Sequence, residues 1–199
     1  QMKLGGDTLT GGICRSPALS PDGQTLAVVF STEPGRDQVY LLSSNEAEPQ
    51  PLGDPLDIRS LSWLGDGTGL VLLVGEGVQK IDDRSGMRIV QLGLDGGVSG
   101  IRSDTGSFAT VAGKDSQRIL FRGRDQLWYT CGPKGKSVSK VGNGLKDLAD
   151  PAVNPEGTHA VMIGRDAEGR TWPIVVDLVS GERFPVKVER GRWLHPAWR

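Results

Sequence analysis

Apolar residues along this chain fall in short blocks, and turn-forming residues separate the blocks. Leu26-Ala-Val-Val-Phe30, Leu70-Val-Leu-Leu-Val74, Phe108-Ala-Thr-Val111 and Ala160-Val-Met-Ile163 each follow a segment rich in Gly, Pro, Asp or Ser. Blocks of this length suit buried strands and are too short for helices. The punctuation supports the same reading. Twenty-nine glycines and 12 prolines leave little room for helix interiors, where either residue is destabilising. Many short strands joined by tight turns are therefore predicted.

The blocks belong to a repeat. Ser16-Pro-Ala-Leu-Ser-Pro-Asp-Gly23 precedes the first, Ser60-Leu-Ser-Trp-Leu-Gly-Asp-Gly67 the second, Gly100-Ile-Arg-Ser-Asp-Thr-Gly106 the third and Pro151-Ala-Val-Asn-Pro-Glu-Gly157 the fourth. Each reads as a strand entering a turn, with Asp22, Asp66, Asp104 or Glu156 favouring the bend. Gly23, Gly67, Gly106 and Gly157 then supply a backbone with positive φ. These glycines are 44, 39 and 51 residues apart, intervals that bracket a four-stranded propeller blade. A third strand follows in the first and fourth units (Val39 to Leu42 and Ile174 to Leu178), and a more polar fourth strand follows turns such as Ser180-Gly181. In the second unit the corresponding pieces are Gly77 to Ile81, the turn at Arg84 to Gly86, and Met87 to Leu92.

The fold expected is all-β: a propeller or partial propeller of about four four-stranded antiparallel blades, in one domain over 1–199. The units run over about 13–57, 58–97, 98–148 and 149–191, and 192–199 opens a further unit. The third unit is irregular. It offers two candidate strands, Arg118 to Arg122 and Gln126 to Thr130, where one is expected. An inserted hairpin explains this, and a count of five blades is the alternative. The ends are also unusual. Pro196-Ala197-Trp198 matches Pro17-Ala18-Leu19, so the chain ends on an opening strand, while Lys3 to Gly12 reads as an outer strand without its partners. This predicts an excerpt of a longer propeller, or an open array whose free sheet edge is covered by a partner or a second copy. A compact ring with adjacent termini is the alternative.

Charge narrows the partners. Twenty-three Lys and Arg face 24 Asp and Glu, so the basic excess typical of nucleic-acid binding is missing. The loose cluster Arg118, Arg122, Arg124, Lys134, Lys136 and Lys140 reads as a solvated hairpin. The apolar runs are too short to cross a membrane, so no insertion by this segment is expected. Cys14 and Cys131 have no CxxC partner, which argues against structural zinc and leaves open whether they pair. Gln1 begins the chain without a charged-then-apolar leader, which reads as a processed chain or an excerpt.

No residue is assigned to catalysis, and no cofactor or metal is expected. A hydrolase needs a nucleophile, a base and an orienting acid, and the two histidines, His159 and His195, lie in no recognisable nucleophile context. The acids Asp22, Asp66, Asp104 and Glu156 could ring one face and hold a cation, but turn formation explains them more simply. Gly132-Pro-Lys-Gly-Lys-Ser137 lacks phosphate-loop spacing and reads as a hairpin turn. Arg122, Arg124, Trp128 and Tyr129 form the candidate contact patch, since aromatic and Arg side chains are enriched at interfaces; a strand alternating between core and solvent is the competing reading.

"SPALSPDGQTLAVV" and "IVVDLVSGERFPV" resemble the repeat of TolB-like, or WD40-like, bacterial β-propellers. The match is strong in the first and fourth units. The second keeps Trp63, Asp66 and Gly67 without the proline, and the third keeps only Asp104, Gly106 and the apolar strand. The resemblance implies a non-enzymatic scaffold that binds a protein or ligand, within a larger periplasmic or extracellular protein. Lipid anchoring would come through a segment not present here, as in the LpqB-type lipoproteins. Substrate-gating propellers of prolyl-oligopeptidase-like peptidases share the repeat and are one alternative; a sugar- or lactone-processing propeller with an axial metal is the other.

Overall fold

A computed structural model describes residues 11–44, 48–75, 87–112, 118–141, 148–154, 156–165 and 170–186. Within them the secondary structure is all β, in four antiparallel four-stranded blades arranged as a propeller. Blade 1 holds β1 (Ile13–Leu19), β2 (Thr25–Glu33), β3 (Arg36–Ser43) and β4 (Gln50–Leu56) in sequence order. Blade 2 holds β5 (Ile58–Trp63), β6 (Gly69–Val74), β7 (Met87–Gly93) and the first half of β8 (Val98–Ala112). Blade 3 takes the second half of β8, then β9 (Arg118–Gly123), β10 (Trp128–Cys131) and β11 (Ser139–Lys140). Blade 4 holds β12 (Ala149–Val153), β13 (His159–Arg165), β14 (Thr171–Asp177) and β15 (Arg183–Pro185).

The shared strand corrects the reading of the third unit. β8 pairs with β7 from Val98 to Thr105 and with β9 from Thr105 to Ala112. Phe108 to Val111 thus opens blade 3, and Arg118 to Arg122 and Trp128 to Thr130 supply its ordinary second and third strands. No inserted hairpin and no fifth blade are needed. Gly106 lies inside β8, so it is not a turn glycine. The connection from β8 to β9 runs over 113–117, outside the described residues, as do the expected strand and turn at 77–86 and the two ends at 3–10 and 192–199. At the first blade junction a single residue, Asp57, separates β4 from β5; at the second there is no break at all. Thr105 marks the crossing point. It is fully buried, and its hydroxyl donates to the Met87 carbonyl at 3.0 Å.

Strand periodicity of two then builds the core. In β6 every residue is buried: Leu70, Leu72 and Val74 face blade 1, and Val71 and Leu73 face blade 3. β9 divides in the same way, with Ile119 and Phe121 toward blade 2 and Leu120 toward blade 4. Among the described residues three apolar layers result, one between each successive pair of blades. The inner strands β1, β5, β8 and β12 meet in turn along the array.

Polar groups pin the first layer at one end. Asp37 is buried on β3 and accepts from Arg15 at 2.6 Å, from the Ser31 hydroxyl, and from the Ile58 backbone N–H at 2.7 Å. The same guanidinium donates to the Ile58 carbonyl at 2.7 Å, so blade 1 is tied to the first residue of blade 2. At the other end of the layer, the Trp63 indole N–H donates to the Ala18 carbonyl at 2.9 Å. Cys14 is exposed and Cys131 is buried, and no disulfide joins them. No helix among the described residues is long and apolar enough to cross a membrane.

Candidate functional site

The turns that lead from first to second strand form one rim, and the repeat chemistry can be followed from blade to blade there. In blade 1, Gly23 N–H donates to the Ser20 carbonyl at 2.9 Å, and Ser20 and Thr25 close the turn at 2.8 Å. The Ser20 hydroxyl accepts from Thr25 N–H at 2.9 Å and donates to Asp22 Oδ1 at 2.5 Å, which also accepts from Gln24 N–H. The Ser20 hydroxyl first, and the Gln24 N–H second, hold the Asp22 carboxyl below the usual range. Gly23 takes φ +73°.

Blade 2 repeats the turn with Leu64 in place of Ser20. The backbone bonds persist at 2.9 and 3.0 Å, Gly67 takes φ +72°, and Asp66 Oδ1 accepts from the N–H and hydroxyl of Thr68. Leu64 has no side-chain donor to offer, and its side chain is buried in the layer between blades 2 and 3. In blade 4, Asn154 fills the same place. Its Oδ1 accepts from the N–H groups of Thr158 and His159, its Nδ2 donates to Glu156 Oε2 at 2.8 Å, and Gly157 takes φ +68°.

A cleft of about 350 Å³ opens between the turns of blades 1 and 2. Pro21, Asp22, Trp63 and Asp66 line it, and Leu94 closes one side from the turn between β7 and β8. A second hollow of about 580 Å³ shares Leu94 in its lining and is bordered by Asp95, Val98 and Thr68. Leu94 is held on a tight turn in which Gly93 and Gly97 are bonded at 2.9 Å and Asp95 Oδ1 accepts from Gly97 N–H. Sequence reasoning picked out Asp22 and Asp66 as turn formers and missed Leu94 and Val98. Their signal was present: apolar residues flanking a Gly-rich turn, where polar ones are usual.

The expected contact patch does not converge. Trp128 is 1% exposed in the layer between blades 3 and 4, and its indole N–H donates to the Leu148 carbonyl at 3.2 Å. Tyr129, one residue on, points to the opposite face of β10, stacks on Phe121 and donates to Asp125 at 2.7 Å. Arg122 lies over the Trp128 ring at 5.9 Å and donates to the Gln126 carbonyl; Arg124 is exposed on the next turn. Strand alternation separates the two aromatics, so they cannot form one exposed surface.

On blade 4, Thr158 Oγ1 lies 2.9 Å from His159 Nδ1, and His159 Nε2 lies 3.7 Å from Asp177. The hydroxyl also accepts from Asn154 Nδ2 at 3.0 Å, which places it in the turn network. Among the described residues no three His, Cys, Asp or Glu side chains are grouped to hold a metal. The segment at Gly132 to Ser137 is the turn joining β10 to β11.

No family model matches the chain. The curated protein called uncharacterized peptidase YuxL, from Bacillus subtilis, is 27% identical over 154 residues, which is 73% of this chain and 21% of that protein. The chain thus spans about a fifth of that relative's length. Among solved structures, the putative TolB from Agrobacterium tumefaciens superposes with a TM-score of 0.70 at 20% identity, covering 90% of this chain and 67% of the other. TolB from Acinetobacter baumannii gives 0.69 at 17%, covering 89% and 45%. A prolyl endopeptidase gives 0.64 at 13%, covering 88% and 26%. The chain has the fold of the TolB-type β-propellers.

Proposed function

We propose that this chain is a non-enzymatic scaffold whose turn rim receives a protein partner. The observation that carries this reading is the placement of large apolar side chains on the rim beside the cleft. Leu19 is 61% exposed, Leu94 49% and Val98 46%, while the layers between blades are closely packed. Rigid strands hold such loops in place, and loops carry specificity. The likeness to TolB structures supports the same reading, together with a periplasmic or extracellular location. A photo-reactive side chain at position 94 tests it. One discrete cross-linked product is expected in extracts of the source cells, and none from the same group at Val179, which is 71% exposed on blade 4. Equal labelling from both positions, or none from either, overturns the scaffold reading.

The peptidase-named relative and the prolyl endopeptidase structure favour a second reading, a propeller that gates a hydrolase. A coding sequence that continues into a domain with a nucleophile, histidine and acid would support it. Turnover of peptide substrates by that longer product, lost when the nucleophile is replaced, would establish it.

A further inference from the structure

We infer that a hollow on blade 1, on the face turned away from blade 2, binds a free α-amino acid with an apolar side chain. The inference goes beyond the scaffold reading and does not rest on it. The hollow holds about 300 Å³ and is lined by Phe30, Glu33, Arg36, Gln38, Tyr40 and Pro55. It lies by the turn from β2 to β3, at the opposite end of the blade from the rim cleft. Val29 and Val39 belong to the layer against blade 2, so Phe30, Gln38 and Tyr40, one residue away along each strand, point to the other face. Three observations carry the assignment. First, Glu33 and Arg36 stand directly opposite each other across the hairpin, and both are exposed. Opposite charges so placed ordinarily attract one another, yet among the described residues neither is in an ion pair. Second, the Gln38 amide is fixed. Its Nε2 donates to the Val39, Leu52 and Gly53 carbonyls at 3.2, 3.0 and 3.1 Å, which orders the group and keeps Oε1 as an acceptor. Third, the apolar wall is braced. Phe30 is 7% exposed and meets the half-buried Tyr40 ring edge to face, with centroids 6.2 Å apart.

A ligand that answers all three carries both charges beside a hydrocarbon. Its carboxylate meets Arg36, whose planar fork takes two oxygens. Its ammonium meets Glu33 and Gln38 Oε1, and its side chain lies against Tyr40 and Pro55. The Cβ atoms of a directly opposite pair lie about 5 Å apart, so the two head groups suit charges borne on one carbon atom. The volume is at the small end for a ligand site and suits one amino acid better than a peptide or a cofactor. Exposed ion pairs each contribute little, so affinity in the millimolar range is expected, and selectivity comes from needing both charges and the hydrocarbon together. A carboxylate without an amine leaves Glu33 unmet, and an amine without a carboxylate leaves Arg36 unmet.

The test titrates the 199-residue chain with L-leucine and three fragments of its chemistry. These are 4-methylpentanoate, which lacks the ammonium, isoamylamine, which lacks the carboxylate, and glycine, which lacks the side chain. NMR shifts of the Gly35 backbone amide and the Gln38 side-chain amide report the site. Leucine is expected to shift both saturably, and each fragment to bind about tenfold more weakly. Arg36→Gln and Glu33→Gln should each weaken leucine about tenfold through loss of one charged contact. Both side chains are exposed and outside any ion pair among the described residues, so the denaturant midpoints of these variants should match the wild type's. Absence of saturable shifts, binding of any fragment as tightly as leucine, or wild-type leucine affinity in either variant overturns the inference. Cross-linking from position 94 reports on the rim alone, so the amino-acid site and the scaffold reading stand or fall separately.

Discussion

Single residues in the turns show two separable effects. Gly23 and Gly135 have nearly the same backbone, φ +73° and +70°, in different surroundings. A Cβ on Gly23 would meet nothing within 4 Å, whereas one on Gly135 would fall on the Ile101 backbone carbonyl oxygen. Gly23→Ala should therefore cost about 1–2 kcal/mol, the conformational term alone. Gly135→Ala adds an overpacking term of about 1–3 kcal/mol, because a backbone oxygen in a strand cannot step aside cheaply. Denaturant midpoints of the two variants check this, and equal losses would contradict it. Asp177 carries a pH effect of known sign. The Ser180 N–H first, then the Val179 N–H, with the nearby His159 adding to them, hold its carboxyl below the ordinary value. A depressed folded pKa means that the stabilisation is complete above the unfolded value, about 3.9. It is lost as pH falls through the folded value. Asp177→Asn keeps an acceptor and removes the titration. Its stability should fall less steeply than the wild type's below about pH 4, with Asp22 and Asp125, shifted in the same direction, leaving a residual slope. Identical acid limbs would exclude this role for Asp177.

Among elements, the junctions between blades decide the architecture. Asp37 is the acceptor for three donors from β1, β2 and β5, and it is 3% exposed. Asp37→Ala leaves the Ile58 N–H and Arg15 without it, a loss of about 1–3 kcal/mol for unsatisfied buried groups. Arg15→Met should cost less, since Asp37 keeps two donors and the arginine side chain is 34% exposed. Equilibrium unfolding of both variants gives the order, and a larger loss from Arg15→Met would reverse the assignment. The same elements show what the sequence could reveal. The turns at Gly23, Gly67 and Gly157 were visible because a positive φ demands a local residue type, and the strands after them because their apolar runs are continuous. The path of β8 was not visible. Asp104-Thr-Gly106 has turn composition, yet the pairing of Thr105 with both Met87 and Gly123 draws the chain straight through it. Pairing between distant strands overrides local preference there. The contact patch failed for a related reason: Trp128 and Tyr129 are adjacent in sequence, and adjacency in a strand means opposite faces. The rim cleft was half legible, since its acids belong to the repeat and its apolar ridge does not.

At the scale of the molecule, four blades with three apolar layers behave as a nearest-neighbour array, each blade stabilised through the layers it shares. Blade 2 shares two, and β6 is its centre. All six residues from Gly69 to Val74 are buried, with Leu72 in one layer and Leu73 in the other. Among the described residues blade 4 contributes to one layer, and its last strand, β15, is exposed along its length. Protection of backbone amides should therefore be highest in β6 and fall outward, with β15 among the first to exchange. Leu72→Ala sharpens the expectation. Removing a fully buried leucine costs about 2–5 kcal/mol, and this one lies between blades 1 and 2. In a coupled array the amides of β2 and β6 should lose more protection than those of β13, which is three blades from the first and packs in a different layer. Native-state hydrogen exchange followed by mass spectrometry resolves the strands well enough to decide. An equal loss everywhere would mean that the four blades open as one unit and that the layers are not separable. A loss confined to β13 would mean that the packing order along the array has been assigned wrongly.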